Sequence, residues 1–232
     1  MKVLVLGGMH GNEMLGIKLV ESLSTDPIKG IDTLIANPDA VIKGTRYIET
    51  DLNRSFGARA PQSIEEIRAD ELNSILSMYD IVLDFHNTQT PVNNCCFVGV
   101  ECDPILYDQI KILGFDKAIE ATYDCINKFH RNALSIEISV DDEWDSVTYW
   151  RQRLELLGGN TFGDQSIHIY RYESRVTWQH FDQNSYKDWR PFKELNDKDK
   201  RSLDKSGILA PIFIGSKFTP YYATLVRYIK QV

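Results

Sequence analysis

Val3-Leu4-Val5-Leu6, an apolar run without alternation cut off by Gly7-Gly8, constrains this chain more than any other feature. A strand with no polar side must be covered on both faces, which calls for helices above and below a sheet. The glycine pair marks a tight turn at its end. The next residues supply a helix, since Leu15, Leu19, Val20 and Leu23 recur at helical spacing between Asn12 and Leu23. Residues 33–36 read as a second strand stopped by Asn37-Pro38, and residues 43–61 are polar and irregular. Residues 63–79 read as an amphipathic helix with Ile64, Ile67, Leu72, Ile75 and Leu76 on one side, and residues 80–85 as another buried strand. Strands are also expected at 96–100 and 134–140, and helices at 104–113 and 143–157, the last stopped by Gly158-Gly159. This alternation predicts an α/β fold. Beyond residue 160 the texture changes to short β-like stretches at 167–172, 208–214 and 222–229, separated by polar segments. Two units are therefore expected: an α/β domain over 1–160 and a small β-rich C-terminal domain over 161–232.

With 232 residues, 43% of them hydrophobic, the chain can bury a sizeable core. A formal charge of −7 leaves no basic surplus to neutralise phosphates, which argues against a nucleic-acid partner. Cys95, Cys96, Cys102 and Cys125 form no CxxC pair, so buried free thiols are expected. The first apolar run is too brief for a signal segment or a membrane span, which predicts a cytoplasmic protein without a membrane partner.

Candidate chemistry begins at His10-Gly11-Asn12-Glu13, just past the first strand. Imidazole and carboxylate are both good zinc donors. Equally, this motif reads as a turn histidine beside a helix-start acid. Position favours the first alternative, because ligands collect beyond the C-terminal ends of strands in open α/β sheets. His86 follows the strand Ile81-Val82-Leu83-Asp84-Phe85 directly, so two strand-end histidines and Glu13 make a three-ligand set with one place left open. Asp84 suits a partner for a ligand histidine, or a turn cap. His130, His168 and His180 lack comparable settings. Glu137 stands between isoleucines in a strand, where burial would raise its pKa toward that of a general base; an edge-strand acid facing solvent is the plainer alternative. Arg46 and Arg54, in the irregular segment, suit carboxylate or oxyanion recognition. The tryptophans Trp144, Trp150, Trp178 and Trp189 read as core.

In order, GGMHGNE, NPDAV, TRYIETDLNR, DFHNT and SIEIS resemble the aspartoacylase/succinylglutamate desuccinylase family, which is related to the zinc carboxypeptidases. The resemblance covers roughly residues 3–140, with weaker echoes at Pro211-Ile212-Phe213-Ile214 and Tyr221-Tyr222. It implies a zinc-carboxypeptidase-like mixed sheet flanked by helices, and one Zn2+ per chain on His10, Glu13 and His86. It implies Glu137 as general base and proton shuttle, and Arg46 as the group polarising the scissile carbonyl. Asn53 and Arg54 would hold the carboxylate of an amino acid, Asp51 would orient them, and Tyr123 would line the pocket. The chain departs from the family at Asn127-Lys128, where aspartoacylases carry an arginine for a second carboxylate, and at Ser216, where glutamate is typical. The function so implied is zinc-dependent cleavage of the amide bond of a small N-acyl amino acid, with the acyl group and side chain left open. Competing readings are a zinc carboxypeptidase for short peptides and a non-catalytic binding protein on the same scaffold. Whether the chain forms a homo-oligomer is not legible.

Overall fold

A computed structural model describes residues 1–88, 94–140, 142–157, 166–177, 189–203, 205–214 and 221–232. Its described strands are β1 (Val3–Gly7), β2 (Ile31–Ile35), β3 (Ile81–Thr88), β4 (Cys95–Gly99), β5 (Lys117–Ala121), β6 (Ala133–Ser139), β7 (His168–Thr177), β8 (Leu209–Ile212) and β9 (Tyr221–Gln231). The helices are α1 (Met14–Thr25), α2 (Pro38–Lys43), α3 (Ile64–Leu76), α4 (Ile105–Ile112), α5 (Ile126–Phe129), α6 (Val147–Glu155) and α7 (Asp197–Ser202), with a 3-10 turn at Leu52–Arg54.

All nine strands join one sheet in the order β2-β1-β3-β6-β4-β5-β7-β9-β8. Strands β2, β1, β3 and β6 are mutually parallel; β4 runs against β6, and β9 runs against both β7 and β8. The strands after residue 161 thus extend the same sheet as the rest. No helix among the described residues is long and apolar enough to cross a membrane.

The period of two along each strand sorts side chains into two layers. Val3, Val5, Leu83, Phe85, Leu134, Ile136 and Ile138 pack with Leu15, Leu19, Ile110 and Trp150 from α1, α4 and α6. Leu4, Leu6, Val82 and Ala133 pack on the other face with Ala69, Leu72 and Leu76 of α3. Alternation places Asp84 and His86 of β3, and Ser135 and Glu137 of β6, on this second face. Register then sets Asp84 beside Ser135 and His86 beside Glu137.

Several elements differ from their sequence expectation for identifiable reasons. Asn37-Pro38 stops β2 but also starts α2, with the Asn37 side chain accepting from the amide of Ala40 and Pro38 at the helix's first position. Strand β5 is masked in the sequence by Lys117 and Glu120, and Glu120 is buried because Arg171 of β7 pairs with it at 2.6 Å. On α3 the inward face is Glu65, Ala69, Leu72 and Leu76, whereas Ile64 and Ile67 are exposed. Trp144 and Trp150 pack with Phe115, and Trp189 is buried. All four cysteines are buried free thiols. His180, Trp178, Ser216 and Gly158-Gly159 lie outside the described residues.

Close backbone packing fixes the loop after β1. A Cβ on Gly11 would lie 2.1 Å from the carbonyl carbon of Ala40 in α2. Gly11→Ala is expected to lower the unfolding free energy by about 1–3 kcal/mol, the usual cost of overpacking. A urea titration in which the variant keeps the parent's midpoint would contradict that contact.

Candidate metal and catalytic site

His10 lies three residues past the end of β1, and His86 lies inside adjacent β3, which runs on to Thr88 instead of stopping at Phe85; the two rings stand side by side with centroids 5.0 Å apart. Glu13 occupies the N-cap position of α1, yet its carboxylate does not cap the helix. It turns to both rings instead: Oε1 lies 2.7 Å from His10 Nδ1, and Oε2 lies 2.9 Å from His86 Nδ1. The cap comes from Asn87, whose Oδ1 accepts from the amide of Leu15 at 2.7 Å. Asn87 also donates its backbone N–H to Glu13 Oε2 (3.3 Å) and its side-chain amide to Asp145 (3.1 Å). Sequence reasoning passed over Asn87; its one signal is its place directly after a strand-end histidine.

Each ring meets a second carboxylate through Nε2. Asp51 Oδ1 lies 3.1 Å from His10 Nε2, and Asp84 Oδ2 lies 2.7 Å from His86 Nε2. Asp84 is therefore the partner of a histidine and not a turn cap. A neutral imidazole has one N–H and one lone pair, whereas an ionised carboxylate only accepts. A ring held between two carboxylates must carry a second proton or place its lone pair on a cation. Burial pushes both histidines toward neutrality, but their carboxylate neighbours outweigh it and raise both pKa values, that of His86 strongly. Glu13 is likewise held below its usual range, by the two histidines, despite burial. One oxygen and two nitrogens of the triad lie within 4.8 Å of one another, and all three residues are buried. This donor set can bind a metal, with Nε2–H of each ring donated to its aspartate.

Arg46 reaches this centre from the loop after α2. Its backbone carbonyl accepts from the amide of Gly11 (3.2 Å), and its guanidinium donates to Glu13 Oε1 (3.1 Å) and Asp51 Oδ2 (3.4 Å). Asp51 thus touches His10 and Arg46 and also accepts from the amide of Asn53 (3.0 Å), and these cationic neighbours keep its pKa low against the opposing effect of burial. Glu137 stands on a central strand, between β3 and β4, which removes the edge-strand alternative. Burial raises its pKa to about 7, with His86, His10 and Arg46 pulling the other way.

Asn53, Arg54 and Tyr123 gather one step away. Asn53 Oδ1 accepts from the amide of Ile126 (3.0 Å), which ties the 3-10 turn to α5. The guanidinium of exposed Arg54 lies over the Tyr123 ring at 4.6 Å, and Tyr123 packs edge-on against Tyr172. Asn127 is 2% exposed and donates to the carbonyls of Phe97 (3.0 Å) and Ala133 (3.1 Å), so it is a bolt between β4 and β6 and not a ligand-facing side chain. His130 bonds Asn73 at 2.8 Å, far from any ligand role, and His168 packs against Tyr228. Ser135, also passed over in the sequence, places Oγ 3.2 Å from Asp84 Oδ2 and 3.0 Å from Asn127 Oδ1.

Residues 1–139 match the Succinylglutamate desuccinylase/Aspartoacylase catalytic domain. An aspartoacylase from Danio rerio is 38% identical over an alignment of 146 residues that covers 53% of this chain and 44% of that protein. The N-acyl-aromatic-L-amino acid amidohydrolase (carboxylate-forming) of Rattus norvegicus is 35% identical over an alignment of 123 residues that covers 45% of this chain and 41% of that one. The chain therefore spans less than half the length of these relatives. Among solved structures, a succinylglutamate desuccinylase from Chromobacterium violaceum superposes with a TM-score of 0.74 at 18% identity, covering 99% of this chain and 85% of the other. Murine aminoacylase 3 gives 0.70 at 21% identity, covering 100% and 95%. At these identities the likeness is one of fold, and that fold is the zinc-carboxypeptidase-like mixed sheet.

Proposed function

This chain belongs to the succinylglutamate desuccinylase/aspartoacylase catalytic-domain family, and from that premise we propose that it is a zinc-dependent amidohydrolase cleaving the amide bond of small N-acyl amino acids. The convergence of His10, Glu13 and His86, with Glu137 paired to His86 across the sheet, supports this most directly. Zinc held by those three side chains would supply a Lewis acid for the attacking water and the carbonyl group.

The chain's own groups divide the remaining work. Glu137 accepts the proton of the attacking water and returns it to the leaving nitrogen, so one carboxylate serves as base and then as acid. Arg46 stabilises negative charge on the carbonyl oxygen as the carbon becomes tetrahedral. Asp51 and Asp84 hold the imidazoles through Nε2, which leaves Nδ1 of each ring turned to Glu13, where the three side chains would hold the ion. Arg54, with Asn53 beside it, binds the substrate's carboxylate, and Tyr123 backs the guanidinium.

Arg54 positions substrate and takes no part in bond breaking. Arg54→Ala is expected to raise KM about 10- to 100-fold, the worth of one charge-assisted hydrogen bond, with kcat little changed. Steady-state kinetics check this, and a fall confined to kcat would remove Arg54 from the binding role. The reading as a whole is tested by zinc analysis of the purified chain and by assay against N-acetyl and N-succinyl amino acids, with dipeptides alongside. Stoichiometric zinc and release of free amino acid are expected. Zinc-loaded protein that hydrolyses no member of the panel would overturn it.

A further inference from the structure

Helix α3 carries an acid where its periodicity calls for an apolar residue. Glu65 is 0% exposed, on the face it shares with Ala69, Leu72 and Leu76. Its carboxylate accepts from the backbone amides of Ile48 (2.6 Å), Glu49 (3.1 Å) and Thr50 (3.0 Å), and from the side-chain amide of Asn37 (3.2 Å). Residues 48–50 lie in neither helix nor strand, so these amides have no ladder to join. Two further bonds hold the same junction. Glu49 Oε2 accepts from the amide of Ile64 at 2.8 Å, and the hydroxyls of Thr50 and Ser63 are 2.8 Å apart.

The segment fastened in this way is the one that carries Arg46 and Asp51 to the metal-binding triad. Arg46 precedes the three held amides by two residues, and Asp51 follows them directly. Both groups act through geometry: Arg46 touches Glu13, and Asp51 touches His10. Four N–H groups converging on one carboxylate form an anchor that an amide cannot copy. Glutamine at this position offers one acceptor oxygen and an NH2 that faces other donors. At least one of the three backbone amides would lose its partner.

We propose that Glu65 is a positioning residue for the active site: it pins residues 48–50 and thereby sets where Arg46 and Asp51 stand relative to Glu13 and His10. The pinning is independent of the hydrolase reading; only the activity readout rests on it.

The test combines hydrogen exchange on the parent protein with kinetics and zinc retention of Glu65→Gln, Arg46→Ala and the double variant. In the parent, the amides of Ile48, Glu49 and Thr50 are expected to be protected although they lie in a loop; exchange at open-loop rates overturns the proposal, and this arm requires no variant to fold. Glu65→Gln is expected to lower kcat/KM about 10-fold or more, the usual cost of losing an outer support of a metal site. In the Arg46→Ala background the loss is expected to shrink several-fold, because part of what Glu65 positions is already gone. Equal losses in both backgrounds would mark a general structural effect and overturn the proposal. A parent that hydrolyses no N-acyl amino acid is a failure of the hydrolase reading alone. The pinning is then decided by competition with a zinc chelator, where weaker retention in Glu65→Gln supports it and unchanged retention overturns it.

Discussion

Replacing Glu137 by alanine is expected to lower kcat by about 10²–10⁴-fold, the typical worth of a positioned general base, with zinc content unchanged. The two halves of that outcome come from geometry. Glu137 is in register with His86 on the neighbouring strand but is not among the three residues whose donor atoms converge. On the proposed function, its removal takes away the proton acceptor and leaves the three candidate ligands in place. The same residue sets a pH dependence. Burial raises its pKa to about 7, and a base acts only when ionised. Activity in kcat/KM should therefore rise with pH, with a slope of one in the logarithm, and level off once the carboxylate is ionised. A cation in the adjacent triad favours the ionised form, so in the zinc-loaded protein this limb is expected below pH 7. Residual activity of Glu137→Gln should lack the limb. Parent-like kcat in Glu137→Ala would end the assignment of this residue.

His86→Ala is expected to abolish zinc binding and activity and also to destabilise the metal-free protein, by about 3–5 kcal/mol, as when one member of a buried ion pair is removed. His86 shields Asp84, which is 0% exposed. Without the imidazole, Asp84 keeps only the Ser135 hydroxyl nearby, a donor it shares with Asn127, and its Oδ1 already has no hydrogen-bond partner among the described residues. His10→Ala offers the contrast. Its aspartate, Asp51, is partly exposed and keeps Arg46 and the amide of Asn53. Zinc loss should be similar in the two variants, while the stability loss should be clearly smaller for His10→Ala. Zinc content and urea denaturation of the metal-free proteins separate these effects. Retained stoichiometric zinc in His86→Ala, or equal destabilisation by both changes, would contradict this account.

Much of the site was legible because its parts follow one-dimensional rules. The buried run Ile81-Val82-Leu83-Asp84-Phe85 leads straight into His86, Val3-Leu4-Val5-Leu6 is followed four positions on by His10, and parallel β1 and β3 bring the two to one rim. Period-two alternation likewise puts Glu137 on the side of His86 once β3 and β6 are known to be neighbours. That adjacency itself was not legible, since 44 residues of sequence separate Thr88 from Ala133. Side-chain commitments across such distances were also hidden. Nothing local says that Asn127 bonds the carbonyls of two strands, that Asn87 caps a helix begun 73 residues earlier, or that Glu65 turns inward while Ile64 and Ile67 turn out. Hydrophobic periodicity placed Leu72, Ile75 and Leu76 correctly on the inner side of α3 but put Ile64 and Ile67 where Glu65 and Ala69 stand, because a buried carboxylate with four donors is invisible to an apolar count.

The place of β6 between β3 and β4, two strands that precede it in the chain, governs the order in which the molecule can assemble. A chain emerging from the ribosome completes β1 and β3 together with His10, Glu13 and His86 while the seat beside β3 is still vacant. The sheet can close only when β6 enters between strands already made, a non-local event of the kind that slows folding. His10, Glu13 and His86 are thus synthesised well before Glu137, whose strand is the one that joins the two halves of the sheet.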